Sequence, residues 1–380
     1  VLCLLVGLPA SGRGASEPAA SLVPLSGVRG GVIVHVGCGD GRATAALRAS
    51  DSFLVHGVDT NPANVAAARA LIRDQGSYGP VSIDLFNGRT LPYVDNFANL
   101  IVAEELGQLP WEEVVRVLVP GGVAIIDGKK TLKPRSKELG DWTHYLHDAQ
   151  GTCVGLDTVV GPPDRLQWAG SPRHGRSHEH TASVHAMVSA DGRTFDVTDL
   201  GSRASIQLPS KYTLTARDAF NGMILWQREI PDWFNHLYPL KSGPAFMPRR
   251  LVAVASRVYV SGGVGHPLLA LDAATGDLLH EYSGTTTTID LLVSEGVVFA
   301  VVDADRKLYD YNQQNDNCWK ERDRASDLWA WKGQKDLLKA IDAESGKLLW
   351  ERTVAVAPLS LTADEGKVCF FDGRSVVALD

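Results

Sequence analysis

A frame of the form Ala-x-Asp-x-x-x-Gly-x-x-x-Trp recurs through the second half of the chain and restricts that half to a repeating β architecture. It occurs as Ala216-Arg-Asp-Ala-Phe-Asn-Gly-Met-Ile-Leu-Trp226 and returns as Ala270-Leu-Asp-Ala-Ala-Thr-Gly-Asp-Leu-Leu-His280. The third copy is Ala340-Ile-Asp-Ala-Glu-Ser-Gly-Lys-Leu-Leu-Trp350, and a further one opens at Ala378-Leu-Asp380. An Asp followed four residues later by Gly predicts a turn between two strands. The carboxylate bonds backbone amides and the glycine takes a left-handed conformation. The Trp is then expected to pack against the neighbouring unit. Between copies lie alternating or apolar runs such as Arg257-Val-Tyr-Val-Ser261, Gly296-Val-Val-Phe-Ala-Val301 and Lys367-Val-Cys-Phe-Phe371. These predict the strands of a meander, each repeat burying its apolar face against the next.

Repeats of this kind resemble the tryptophan-docking blades of pyrroloquinoline-quinone (PQQ)-type β-propellers. That family contains quinoprotein alcohol dehydrogenases and also cofactor-free propellers of outer-membrane assembly lipoproteins. The resemblance implies an all-β propeller over residues 165–380, with about four blades of a ring that closes with about eight. The chain ends inside a repeat, so a fragment of a longer protein is expected. The stretch Asp303–Asp336, with Cys318, Trp319, Trp329 and Trp331, predicts an extended loop over one face. Arg173, Arg176, Lys241, Arg249 and Arg250 are candidates either to face an anionic quinone or to form rim salt bridges. Trp233, His236 and Tyr238 form an aromatic patch.

The first third reads differently. Gly31-Val-Ile-Val-His-Val36 is the apolar, β-branched run of a strand covered on both faces, and it enters Gly37-Cys-Gly-Asp-Gly41 and a helical stretch Arg42–Arg48. Glycines there let the backbone turn tightly and approach a ligand. A second strand, Phe53–Val58, ends in Asp59, an acceptor suited to a ribose diol, and Asn61-Pro62 opens a helix over Ala63–Arg73. Strands at Val81–Phe86, Asn99–Ala103 and Val123–Asp127, with a helix at Trp111–Leu118 and a turn at Pro120-Gly121-Gly122, complete an alternating β/α pattern.

Three motifs in order, Val36-Gly-Cys-Gly-Asp-Gly41, Val58-Asp59 and Arg116-Val-Leu-Val-Pro-Gly-Gly122, resemble those of class I S-adenosylmethionine-dependent methyltransferases. The resemblance implies an α/β Rossmann-like domain over residues 24–130 and S-adenosylmethionine as the small-molecule ligand. Gly37, Gly39, Asp40, Gly41, Asp59 and Asn87 would be its binding residues. The family's usual acidic positions are here His35, Asn87 and Asn99, which implies binding with activity lost. No antiparallel strand pair is evident after Asp127. Glu104 and Glu105, just past the fourth strand, are candidates for substrate contact or proton handling, or a solvated helix start. Cys38 is expected as a small packing residue.

Residues 131–164 are expected as a linker with a histidine-containing segment. Six of the 11 histidines crowd into residues 144–185. His144 and His147 on a helix, or His178 and His180 on a strand, would share a face, as metal ligands or proton carriers or simply as hydrogen-bonding surface. His178 and His180 are also catalytic candidates.

Residues 1–22 are expected as a signal peptide and tail: an apolar run of about ten residues precedes small, cleavable ones and is too short to span a bilayer. The initiating Met and a basic n-region are missing, so the chain is expected to be clipped at its start. Export to the periplasm follows if the signal holds, and a cytoplasmic location if it does not. With 37 Lys and Arg against 44 Asp and Glu, a formal charge of −7 and no basic block, nucleic acid is not an expected partner. Five cysteines with no CxxC pair exclude a zinc ribbon. Three functions are open: methyl transfer from S-adenosylmethionine, a PQQ-dependent dehydrogenase, and a non-enzymatic envelope scaffold with a protein partner.

Overall fold

The computed structural model describes residues 19–162, 166–173, 175–176, 184–204, 208–231, 233, 246–303 and 330–380. They fall into two compact units.

The first unit is a six-stranded sheet in the order β3-β2-β1-β4-β5-β6. Its strands are β1 (Gly31–Val36), β2 (Phe53–Asp59), β3 (Val81–Leu85), β4 (Ala98–Ala103), β5 (Leu118–Ile126) and β6 (Lys129–Leu132). The pairs β1–β4, β2–β3 and β4–β5 are parallel, and β5–β6 is antiparallel. Every residue of β1 and of β4 is buried, which is what continuous apolar strands require when both faces are covered. The helices are α1 (Ala19–Ser26), α2 (Arg42–Ala46), α3 (Pro62–Asp74) and α4 (Trp111–Val117). Asn61 caps α3, its side chain accepting from the Ala63 amide at 2.9 Å, with Pro62 at the first helical position.

Three details depart from expectation. Residues 19–26, partly assigned to a signal tail, form α1, whose Val23 joins the domain core together with Ala19 and Leu22. Pro120-Gly121-Gly122 does not end the preceding helix in a turn but lies in an irregularity inside β5. Lys129–Leu132, expected as the edge of a linker, is β6, turned back by Asp127 and Gly128 at positive φ. An antiparallel strand therefore does follow Asp127. Residues 1–18 lie outside the described residues, and no helix among the described ones is long and apolar enough to cross a membrane.

The second unit consists of successive antiparallel meanders. Three have four strands: β7 (Val184–Ala190) to β10 (Ile224–Glu229), β11 (Leu251–Val254) to β14 (Leu278–Tyr282), and β15 (Thr288–Ser294) to β18 (Leu348–Val354). The fourth has three strands, β19 (Thr362–Asp364), β20 (Lys367–Phe371) and β21 (Val376–Leu379). Apolar clusters fill the space between the first and second sheets, the second and third, and the third and fourth. The expected loop at Asp303–Asp336 lies largely outside the described residues, and Asp336 begins β17 (Asp336–Asp342).

The repeat frame acts as its chemistry requires. Asp218 Oδ1 accepts from the amides of Phe220 and Asn221, and Asp272 Oδ1 from those of Ala274 and Thr275. Gly222, Gly276 and Gly346 stand at φ of 74°, 77° and 69°. Trp226 lies against Gly276 of the next repeat, where a Cβ would fall 2.6 Å from its ring, and donates from Nε1 to Ala273 O at 3.1 Å. Trp168, outside the recognised copies, does the same to Gly222 and to Ala219 O at 3.0 Å. In the copy with His280 in place of Trp, the imidazole covers Gly346. The missing donor comes from Tyr282, whose hydroxyl reaches Ala343 O at 2.8 Å.

Removing the docked ring in Trp226→Ala is expected to cost about 3–5 kcal/mol of repeat-unit stability. Tyr282→Phe, which loses one hydrogen bond, is expected to cost about 1 kcal/mol. Equilibrium denaturation of the full chain checks both, and equal losses would contradict the division of labour between ring and hydroxyl.

Candidate ligand site of the first domain

In the first sheet β1 lies between β2 and β4, so the chain order reverses there, and ligands of open α/β sheets bind beyond the carboxyl ends of the strands at such a point. Gly37–Gly41 occupies that position. Its glycines are all at positive φ, 76° for Gly37, 53° for Gly39 and 85° for Gly41, but they serve different ends. A Cβ on Gly41 would fall 2.8 Å from the Cβ of Ala68, so this glycine lets α3 pack against the loop. A Cβ on Gly37 or Gly39 would meet nothing within 4 Å, so these two border open space. Within β2, Gly57 clears room for the loop, because a Cβ there would lie 2.6 Å from Ile83 and 2.9 Å from Cys38.

The loop amides are mostly turned inward. Gly37 N donates to Val58 O at 2.8 Å, Cys38 N to the same oxygen at 3.3 Å and Gly41 N to Cys38 O at 3.0 Å. Gly39 N donates to Asp59 Oδ2 at 3.0 Å. Asp59 is buried, and its carboxylate also accepts from Asn64 Nδ2 at 3.2 Å (Oδ2) and from Asn61 N at 2.8 Å (Oδ1). One oxygen thus holds two donors and the other only one, which leaves Oδ1 with acceptor capacity. Asn64 was not singled out in the sequence. Its position one turn into the helix after Asp59 is the signal that could have found it.

His35, at the family's acidic position, is buried and shares a 2.7 Å hydrogen bond through Nδ1 with Thr44 Oγ1 of α2. Desolvation lowers its pKa to about 4 against a weaker opposing pull from Asp59, so the ring is neutral near pH 7. Cys38 is buried, and burial with the nearby Asp59 charge pushes its thiol up to about 11, as befits a packing residue. Asn99 ties β4 to β1 by accepting from Val32 N at 2.9 Å. Asp40 is exposed, accepting from Arg42 N at 3.0 Å and pairing with the Arg42 guanidinium at 3.1 Å. Asn87 Oδ1 accepts from the amides of Arg89 and Thr90 at 2.9 and 2.8 Å, which closes a turn after β3. Glu104 and Glu105 are exposed immediately beyond the paired ends Val36 and Ala103 of β1 and β4. They do not start a helix, since α4 begins only at Trp111.

The histidine segment is not a metal centre at the positions that are described. Residues 144–147 form a tight turn rather than a helix, with reciprocal backbone bonds between His144 and His147. His144 accepts from Val293 N at Nε2 (3.1 Å), so its Nδ1 carries the proton and donates to Thr143 Oγ1 at 2.8 Å. Both nitrogens are used, and burial with the Arg249 charge lowers its pKa to about 4. His147 Nδ1 is engaged with Asp148 and Thr152. Among the described residues no group of three or more His, Cys, Asp or Glu side chains could hold a metal. His178 and His180 lie outside the described residues, as do Lys241, His236 and Tyr238. Arg176 is a buried partner of Asp199 at 2.6 Å, and Arg249 of Asp290 at 2.7 Å.

Protonating His35 in the fold is disfavoured, so from its ordinary value of 6.5 down to about 4 the unfolded chain binds a proton that the native domain excludes. Native stability in the first domain therefore falls as pH drops through that window, by on the order of 3 kcal/mol. Hydrogen exchange of the β1 amides between pH 4 and 7 checks this, and His35→Gln should flatten the dependence.

Residues 33–122 match the methyltransferase domain family, and residues 210–331 match the family described as outer membrane protein assembly factor BamB. The methyltransferase GfsG of Streptomyces halstedii is 33% identical over 102 residues, covering 25% of this chain and 37% of that protein. Among solved structures, geranyl diphosphate C-methyltransferase of Streptomyces coelicolor A3(2) is 19% identical with a TM-score of 0.26, covering 28% of this chain and 43% of that one. The [4+2]-cyclase SpnF is 24% identical with a TM-score of 0.26 over the same shares. The chain thus spans less than half the length of these relatives. It joins a methyltransferase domain, at residues 33–122, to a PQQ-like domain of the BamB type, at residues 210–331.

Proposed function

We propose that the first domain binds S-adenosylmethionine at the glycine elbow and Asp59, as a methyltransferase-type site. The observation that carries this reading is the division among the glycines. Gly41 is consumed by packing, whereas Gly37 and Gly39 leave a Cβ-free surface bordering open space beside a buried carboxylate with acceptor capacity to spare. These residues fit the ligand: Gly37 and Gly39 would admit its methionine portion and Asp59 Oδ1 would take a ribose hydroxyl. Asp40 would border it, and Asn87, its oxygen already used, would offer an amide donor. When bound, the ligand supplies an electrophilic methyl group. The chain's own contribution is orientation, with Glu104 and Glu105 placed beside the loop to hold an acceptor or take its proton. His35, neutral and committed to Thr44, supplies no negative charge, and Asn99 is committed to Val32. Both support weak turnover relative to binding.

A second reading concerns the repeat domain. The match of residues 210–331 to an outer membrane assembly factor supports an exported protein whose four meanders are consecutive blades of a propeller and whose role is binding an envelope partner. The PQQ-dehydrogenase alternative has less support, because Arg176 and Arg249 are already held in buried ion pairs.

Calorimetry is expected to show S-adenosylmethionine binding to the full chain. Gly39→Ala, whose methyl enters the open space with no atom of the fold within 4 Å but stands at a φ of 53° that strains a side chain, should weaken it at least about tenfold, or about 1.4 kcal/mol, and thermal unfolding of the unliganded variant separates the loop strain from the blocked site. No heat from the unmodified protein would end the reading. Fractionation of cells expressing the gene separates the two readings by compartment.

A further inference from the structure

Each meander in the second unit ends on one side in an edge strand, β7, β11, β15 or β19, and an antiparallel edge leaves every second amide without a ladder partner. The residues Ser189, Ala253, Val293 and Ala363 are equivalent. Each pairs with the residue five positions later across its hairpin: Ser189 with Thr194, Ala253 with Val258, Val293 with Val298 and Ala363 with Val368. All four amides are bonded by one short stretch of chain outside the repeats. Ser189 N donates to Trp142 O at 2.8 Å, with Trp142 N returning a bond to Ser189 O at 3.1 Å. Ala253 N donates to Thr143 O at 3.0 Å, Val293 N to His144 Nε2 at 3.1 Å and Ala363 N to Ala149 O at 2.8 Å.

We propose that residues 142–149 are a strap that joins the four sheets through the same amide of each of these edge strands, with His144 as the one side-chain acceptor in the series. The tryptophan docks link only adjacent repeats, and in an array of that kind coupling decays from neighbour to neighbour. The strap instead touches the first sheet and the fourth within eight residues of chain. Arg249 reinforces it, joining its own turn before β11 to Asp290 of β15 at 2.7 Å and to Leu361 O beside β19 at 2.8 Å. Neutrality of His144 is built in, since its surroundings are apolar burial and the Arg249 charge, opposed by Asp148. The segment therefore links the first sheet to the fourth, a coupling that the tryptophan docks do not supply, and a single imidazole can set it or release it.

Residue-resolved hydrogen exchange on the full chain tests this. In the unmodified protein the amides of Ser189, Ala253, Val293 and Ala363 should be protected despite their edge positions. In His144→Ala all four should exchange about tenfold faster, while interior amides of β8 (Arg193–Asp199), β12 (Arg257–Ser261) and β16 (Val297–Val302) keep their protection. His144→Gln, which restores an acceptor, should bring the four back together. It also serves as the test should the alanine variant not fold. Acceleration confined to Val293 would overturn the proposal, because His144 would then hold only its own partner. Equal acceleration of the interior strands would overturn it too, since that is general destabilisation.

Discussion

The aromatic ring resting on a left-handed glycine is the contact from which the repeat unit is built. At Gly222, Gly276 and Gly346 the positive φ serves a turn, and the missing Cβ serves the neighbour, whose ring occupies the space a methyl would need. One residue thus meets two constraints, which ties the register of each hairpin to the packing of the next sheet. The variation supports this account. Where His280 replaces Trp, the ring contact survives and the donor moves to the Tyr282 hydroxyl, which bonds Ala343 O as Trp226 bonds Ala273 O. The hydrogen bond is transferable between side chains, whereas the contact over glycine recurs at every copy described.

In the first domain a similar economy governs the elbow after β1. Asp59 holds the loop amide of Gly39, the start of α3 through Asn61 and the side chain of Asn64 at once. A carboxylate in that position would collapse onto three donors with or without a ligand, so the loop is preformed. His35 contributes in the same way from the strand side, exchanging the charge usual in the family for a neutral bond to Thr44. The elbow that results is stiff and open on the side of Gly37 and Gly39, a geometry suited to admitting a ligand at little reorganisation cost.

Much of this was legible in the residues. The parallel-sheet strands and the hairpin frame follow from periodicity and from the placement of Gly, Asp and Trp, because these patterns encode local geometry and one-sided burial. β6 was not legible, since Lys129-Lys-Thr-Leu132 carries no apolar alternation and pairs only because β5 offers it an edge. Trp168 was missed for a different reason: Asp157 and Gly161 stand four apart as in the frame, but Trp168 follows the glycine by seven residues instead of four, and only the three-dimensional contact with Gly222 reveals it.

The α/β and all-β classes, the turn chemistry of the repeats and the glycine elbow with Asp59 can be read from the residues alone, since all of them depend on neighbours close along the chain. That Gly41 packs while Gly37 and Gly39 stay open is settled by the folded chain. It also decided that His144 and His147 form a turn rather than a metal site, and that a stretch resembling a linker touches four sheets. These outcomes depend on which distant backbone amides come within about 3 Å of a given side chain. No local pattern encodes that distance, because the partners, such as Val293 for His144, lie far away in sequence and meet only when the sheets stack.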